Sequence, residues 1–162
     1  MNVYSCKNYF PFIPIILATL IPICIGVYYI ANYKNPFVNE PNRVALYGVI
    51  LIALGAFFLS IYVYTYADNY RNIFLKAQKG QTEVVEGKIE NFVPSDFLEH
   101  GADHFEINGI EFVVRPHSLA PGYHKIAARG GAIKTEGMLV RIKYVEYDKE
   151  VFIVSIDVLQ QG

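Results

Sequence analysis

Val44–Ala67 reads VALYGVILIALGAFFLSIYVYTYA, an uncharged stretch closed by Arg43 before it and Asp68 after it. About 20 apolar helical residues cross the hydrocarbon core of a bilayer. A charge buried there is costly, so spans carry their charges at the flanks. This stretch therefore predicts a transmembrane helix. Upstream, Phe10–Ala31 reads FPFIPIILATLIPICIGVYYIA, inside an uncharged interval between Lys7 and Lys34. The apolar core of a cleaved signal is about 7–15 residues long and ends at a small-residue site. This one is longer and ends in Val27-Tyr28-Tyr29-Ile30, so it reads as a second, retained span.

The surroundings agree. Tyr9 and Phe10 precede the first span, Tyr28, Tyr29 and Tyr33 end it, and Tyr62, Tyr64, Tyr66 and Tyr70 end the second. Such rings sit well among headgroups. Pro22 is expected to kink the first helix. Ala18, Pro22 and Gly26 on the first helix, with Gly48, Gly55, Ala56 and Ser60 on the second, offer small residues for close packing in lipid. Asn35-Pro36 through Pro41-Asn42 reads as a short loop. Residues 1–67 are thus expected to form a transmembrane hairpin, with spans at about 10–31 and 44–67. Two spans leave both termini on one side, which carries Lys7, Arg71, Lys76 and Lys79 against Lys34 and Arg43 in the loop. The positive-inside rule then puts the C-terminal domain in the cytoplasm, on a multi-pass protein of the cell (inner) membrane.

The chain changes character after the second span. Residues 1–79 hold six basic and two acidic side chains, and residues 80–162 hold eight and thirteen. Residues 68–80 read as a helical stalk stopped at Gly80, and residues 81–162 as a soluble domain. From Thr82 the pattern alternates, with Val85, Gly87, Ile89, Asn91 and Val93 on one side, until Pro94. Asn108-Gly109 between Phe105-Glu106-Ile107 and Ile110-Glu111-Phe112 predicts a two-residue hairpin that pairs Phe105 with Phe112 and Ile107 with Ile110. Val140, Ile142 and Tyr144 face Phe152, Val154, Ile156 and Val158 in a second hairpin that turns at Tyr147-Asp148-Lys149. Five short strands in this length predict a small all-β domain, an OB- or SH3-like barrel.

The run Val85–Phe92, the Asn-Gly hairpin, Gly130-Gly131-Ala132-Ile133 and Gly137–Tyr144 together resemble a group of uncharacterised bacterial membrane-associated proteins with a small β domain. The likeness covers residues 84–158 and implies no activity. By layout alone, helices followed by a small barrel, the chain is also similar to the NfeD-like membrane proteins.

Residues 112–135 contain no acidic side chain but hold Arg115, His117, His124, Lys125, Arg129 and Lys134 among turn-forming prolines and glycines. In an acidic domain this reverses the local sign. Cations with the backbone donors of Gly130 and Gly131 suit an anionic group, on phospholipid headgroups or on an acidic partner. A weaker cluster, Asp96, Glu99, His100, Asp103 and His104, puts two histidines four apart, but Gly101 interrupts it and no third ligand follows at fixed spacing. No metal or other cofactor is therefore expected. Cys6 and Cys24 form no CxxC and read as inert thiols.

Catalytic signatures are absent: there is no GxSxG, Walker loop, Rossmann glycine pattern or SxxK. The acidic domain argues against nucleic acid, whose phosphates need a basic footprint. The expectation is a membrane-anchored protein-interaction or scaffolding module, not an enzyme. Its partners would be the lipid bilayer and another protein or further copies of itself. The alternatives are a membrane-tethered anion or metal-ion sensor, or an accessory subunit of a transporter or membrane protease.

Overall fold

The computed structural model describes residues 1–7, 13–35, 40–95 and 101–159. The chain divides into two compact units, Phe10–Asp68 and a second made of Met1–Tyr9 with Asn69–Gly162.

The first unit is helical. Helix α1 (Ile13–Asn32) and helix α2 (Pro41–Asn69) are each long and apolar enough to cross a membrane. Glycine lets their backbones touch. A β-carbon on Gly26 would lie 2.6 Å from the Gly48 carbonyl oxygen. A β-carbon on Gly55 would lie 2.9 Å from the Thr19 carbonyl oxygen and 2.5 Å from Ile23 Cγ1. The helices are therefore antiparallel. Their buried residues are Thr19 and Gly26 on α1, Gly48 and Gly55 on α2. On each helix the two buried residues are seven apart, not four. For that reason Ala18, Ala56 and Ser60, expected to line the seam, are exposed. Ser60 Oγ instead donates to the Ala56 carbonyl at 2.7 Å. Leu17, Ile21, Leu54, Phe57 and Phe58 point outward. Tyr9 and Phe10 lie outside the described residues, as do the loop residues 36–39.

A π-helical turn (Tyr70–Phe74) and helix α3 (Leu75–Gln78) follow α2. They are not a free stalk. Ile73 is fully buried with Cys6, Val145 and Val154. Gln78 Nε2 donates to the Cys6 carbonyl at 3.1 Å.

The second unit is antiparallel β. Strand β1 (Asn2–Ser5) comes from the N-terminal segment that the sequence assigns to the hairpin. It is followed by β2 (Glu83–Lys88), β3 (Glu90–Val93), β4 (Asp103–Ile107), β5 (Ile110–Val114), β6 (Leu139–Tyr147) and β7 (Glu150–Val158). The described strands pair as two open sheets, β1-β7-β6-β2 and β3-β4-β5. The expected single strand from Thr82 to Pro94 is two strands. Ile89 ends the first one, donating to Met138 O at 2.9 Å and accepting from the Gly137 amide at 2.8 Å. Asn91 then takes φ 53°, so the alternation inverts: Val93 is exposed and Phe92 packs on the core.

The Asn-Gly hairpin forms as expected, with Phe105 opposite Phe112 and Ile107 opposite Ile110. Asn108 and Gly109 take φ 51° and 80°, the positive values that this turn requires. In the β6–β7 hairpin Tyr147 pairs with Glu150 around Asp148 and Lys149. An irregularity between Lys143 and Tyr144 shifts the register, placing Tyr144 opposite Ile153. That shift splits the expected stripe. Ile142, Tyr144, Ile153 and Ile156 face the main core, while Val145 and Val154 face Ile73 and Cys6.

Candidate functional site

The segment after β5 is irregular but anchored. Ile126 and Ile133 are buried in the core. The Tyr123 amide donates to Ile153 O at 2.9 Å, and its hydroxyl accepts from the Ala132 amide. Burial pushes the Tyr123 phenol up, so it keeps its proton. Tyr4, on β1, packs edge-on against Tyr123 with centroids 5.0 Å apart and donates to Gly122 O at 2.5 Å. Burial, with a smaller contribution from Cys6, raises its pKa as well. Thus β1 holds the loop from one side.

Asp103 holds it from the other. This carboxylate is only 2% exposed. Oδ1 accepts from the Ser95 amide at 2.8 Å and from Ser95 Oγ at 3.0 Å. Oδ2 accepts from the Ala127 amide at 2.6 Å. Ala127 opens the 3-10 turn Ala127–Arg129, which ends on Gly130 at φ 76°. A β-carbon on Gly131 would lie 2.3 Å from Lys125 O, an approach that only glycine permits.

Between this loop and β1 lies a groove of about 780 Å³. Of the basic loop residues, His124, Lys125, Arg129 and Lys134 line it, together with Gly130 and Gly131. Lys125, Arg129 and Lys134 are exposed, and Lys125 and Lys134 form no ion pair among the described residues. Val3, Tyr4, Tyr123, Met138 and Val158 give the groove an apolar body. Among the described residues that line it there is no carboxylate, serine, threonine or cysteine.

Two expected residues fall outside this groove. Arg115 turns to Glu150, Nη1 to Oε1 at 3.2 Å, and His117 does not line the groove. The two glycines also act otherwise than expected. The Gly130 amide donates to Ala127 O and the Gly131 amide to Ile126 O, both at 2.9 Å. Their donors are consumed in the turn, so they shape the loop and leave anion contacts to side chains. His124 is held by carbonyls, with Nε2 2.7 Å from Ala120 O and Nδ1 3.2 Å from Arg115 O.

The histidine cluster does not assemble among the described residues. His100 lies outside them, as do Asp96 and Glu99. His104 Nδ1 is 3.4 Å from Glu111 Oε1 on the exposed face of β4. Asp103 is committed to Ser95 and Ala127. No group of three His, Cys, Asp or Glu placed to hold a metal occurs among the described residues.

Val3, Tyr4, Met138 and Val158 are groove residues that the sequence reading missed. β1 is four residues long, too short to signal a strand, and its partner β7 lies at the far end of the chain. Comparison of the chain with protein-family models, with curated proteins and with solved structures gives no match.

Proposed function

We propose that the protein is a membrane-anchored binding module with no catalytic activity of its own: α1 and α2 insert in a bilayer, and the β unit engages an anionic group in the groove beside β1. The observation that carries the binding reading is the convergence of Lys125, Arg129 and Lys134 on one apolar-bodied groove that, among the described residues, no carboxylate lines. Charge complementarity of this kind selects an anion and speeds its encounter. Most small-molecule sites share this build, an apolar concavity with a few placed polar groups.

The anchor reading has two supports. The outward faces of α1 and α2 carry bulky apolar side chains, and the helices meet at two close contacts, Gly26 with Gly48 and Gly55 with Thr19. That is the packing expected where lipid is the solvent. In addition, β1 precedes α1 and pairs with β7, which follows α2. One sheet cannot have its strands on opposite faces of a bilayer, so the number of crossings between them must be even. Lys7, Arg71, Lys76 and Lys79 favour the cytoplasm for that side. The two open sheets, joined by the bent strand through Ile89, form on this reading a partly open small barrel of the OB or SH3 kind.

Thermal shift of the full chain in a neutral detergent tests the binding. Anionic probes are expected to raise Tm, and to go on raising it with the logarithm of their concentration above Kd, and cationic probes to leave it unchanged. Lys125→Glu/Arg129→Glu/Lys134→Glu is expected to abolish the anion effect. An equal shift in that variant would remove the groove from consideration. Carbonate washing of membranes is expected to leave the chain in the pellet; release into the supernatant overturns the anchor.

A further inference from the structure

Resting on that reading, we infer that the occupant of the groove is a single-chain anionic amphiphile, a long-chain carboxylate drawn from the membrane, and not a peptide. Three observations converge on it. The polar recognition available is almost entirely cationic side chain. A peptide that adds as a further strand binds through main-chain hydrogen bonds, and here the loop amides are spent. Those of Gly130 and Gly131 go to Ala127 O and Ile126 O, that of Tyr123 goes to Ile153 O, and that of Ala132 to the Tyr123 hydroxyl. An extended peptide would find no ladder along the loop wall and only the four residues of β1, the edge of its sheet, along the other, whereas a carboxylate head needs only Lys125 and Lys134.

The second observation is size. A methylene takes about the 30 Å³ share of a water molecule, so a sixteen-carbon chain with its carboxylate needs roughly 550 Å³. The groove offers about 780 Å³. That is room for one such chain along the groove. The third is the body of the groove, where Val3, Tyr4, Met138 and Val158 supply apolar and polarisable surface for a flexible chain. Only residues 6–12 separate the strand bearing Val3 and Tyr4 from α1, so a ligand dissolved in the bilayer surface meets the groove at high effective concentration.

The test uses the full chain in phosphatidylcholine nanodiscs and a fluorescent sixteen-carbon carboxylate, displaced by unlabelled competitors. Palmitate is expected to displace the probe, hexadecanol to do so at least tenfold more weakly, and acetate not at all. Lys125→Glu/Lys134→Glu, with an unchanged Tm, is expected to weaken probe binding at least tenfold. Val3→Trp, which fills the groove without changing its charge, is expected to weaken palmitate as well. Hexadecanol binding as well as palmitate, or a charge-reversed variant that binds undiminished, overturns the proposal by assigning the signal to the bilayer or the helices. If an acidic peptide shifts Tm through Lys125 and Lys134 while palmitate does not displace the probe, the amphiphile is refuted and the anion-binding groove survives. If no anion responds to those substitutions, both readings fall together.

Discussion

Replacing Asp103 with Asn tests whether the groove's cationic wall is held by one buried carboxylate. Asp103 is nearly inaccessible and joins Ser95 to Ala127 through three accepted hydrogen bonds. Asn has the same shape but one acceptor oxygen. If that oxygen keeps the two Ser95 contacts, the amide NH2 faces the Ala127 N–H, donor against donor. The Ala127 bond is then lost. A hydrogen bond to a charged group contributes about 1.5–3 kcal/mol. Opening of the 127–131 turn should become easier by about that amount, or roughly 10- to 100-fold in population. Hydrogen–deuterium exchange by mass spectrometry on the full chain in nanodiscs reads this directly. The amides of Arg129, Gly130 and Gly131, protected by the turn's own bonds, should exchange roughly 10- to 100-fold faster, with β6 and β7 unchanged. Asp103→Ala should cost more, because Ser95 is orphaned too. Unchanged exchange at 129–131 in a folded Asp103→Asn protein would show that Tyr123, Ile126 and Ile133 hold the loop without the carboxylate, and the argument would be wrong.

Gly131→Ala places a β-carbon on the Lys125 carbonyl, where backbone must move; overpacking of this kind costs about 3 kcal/mol, seen as a lowered Tm and loss of probe binding. Gly26→Leu should separate α1 from α2, since even a β-carbon would lie 2.6 Å from Gly48 O; distances between spin labels on the two helices should lengthen. The third prediction is a pH dependence. The Tyr144 hydroxyl donates to Glu83 Oε2 at 2.7 Å, and that bond, with burial and the nearby carboxylate charges, pushes its pKa up to about 12. The unfolded phenol releases its proton near pH 10. The raised folded value means that this stabilisation is complete below about pH 10 and is lost as pH rises from there towards 12. Tyr144→Phe should flatten the alkaline limb of a Tm-versus-pH curve, and an identical limb in both proteins would refute the assignment.

How much could be read in advance follows from the range of each interaction. The two long apolar helices were legible because the length of an uncharged run and the charges that close it are local. The Asn108-Gly109 hairpin was legible because its turn, register and facing pairs lie within eight residues. The inversion at Ile89–Asn91 was not, since the alternation continues in the letters while a positive φ at Asn91 turns the chain over. The shift at Lys143/Tyr144 hid in the same way, in a run whose residues are apolar on both faces because two separate clusters cover them. At the groove, the missing acids of residues 112–135 were visible, but the fate of each cation was not. Arg115 is neutralised by Glu150, on a hairpin 35 positions away. Asp103 stood in the letters as one member of a weak acid–histidine cluster, and its partner Ala127, 24 positions on, carries no polar side chain to announce the bond.

The feature least visible in the letters, β1, controls when the groove can exist. Its wall comes from Val3 and Tyr4, and β1 is held by β7 through pairs such as Tyr4–Ile156 and Ser5–Ser155. Both helices lie between the two strands in the chain. β1 therefore stays unpaired until the hairpin has been made and β7 has followed it, a contact of very high sequence separation and correspondingly slow to form. Until then the basic loop lacks the Tyr4 contacts to Gly122 and Tyr123 that close it from one side. On the proposed reading, a ligand that needs both walls is not bound by a partly made chain or by one whose helices cross a bilayer an odd number of times. Binding competence is on that reading tied to membrane topology through the pairing of β1 with β7.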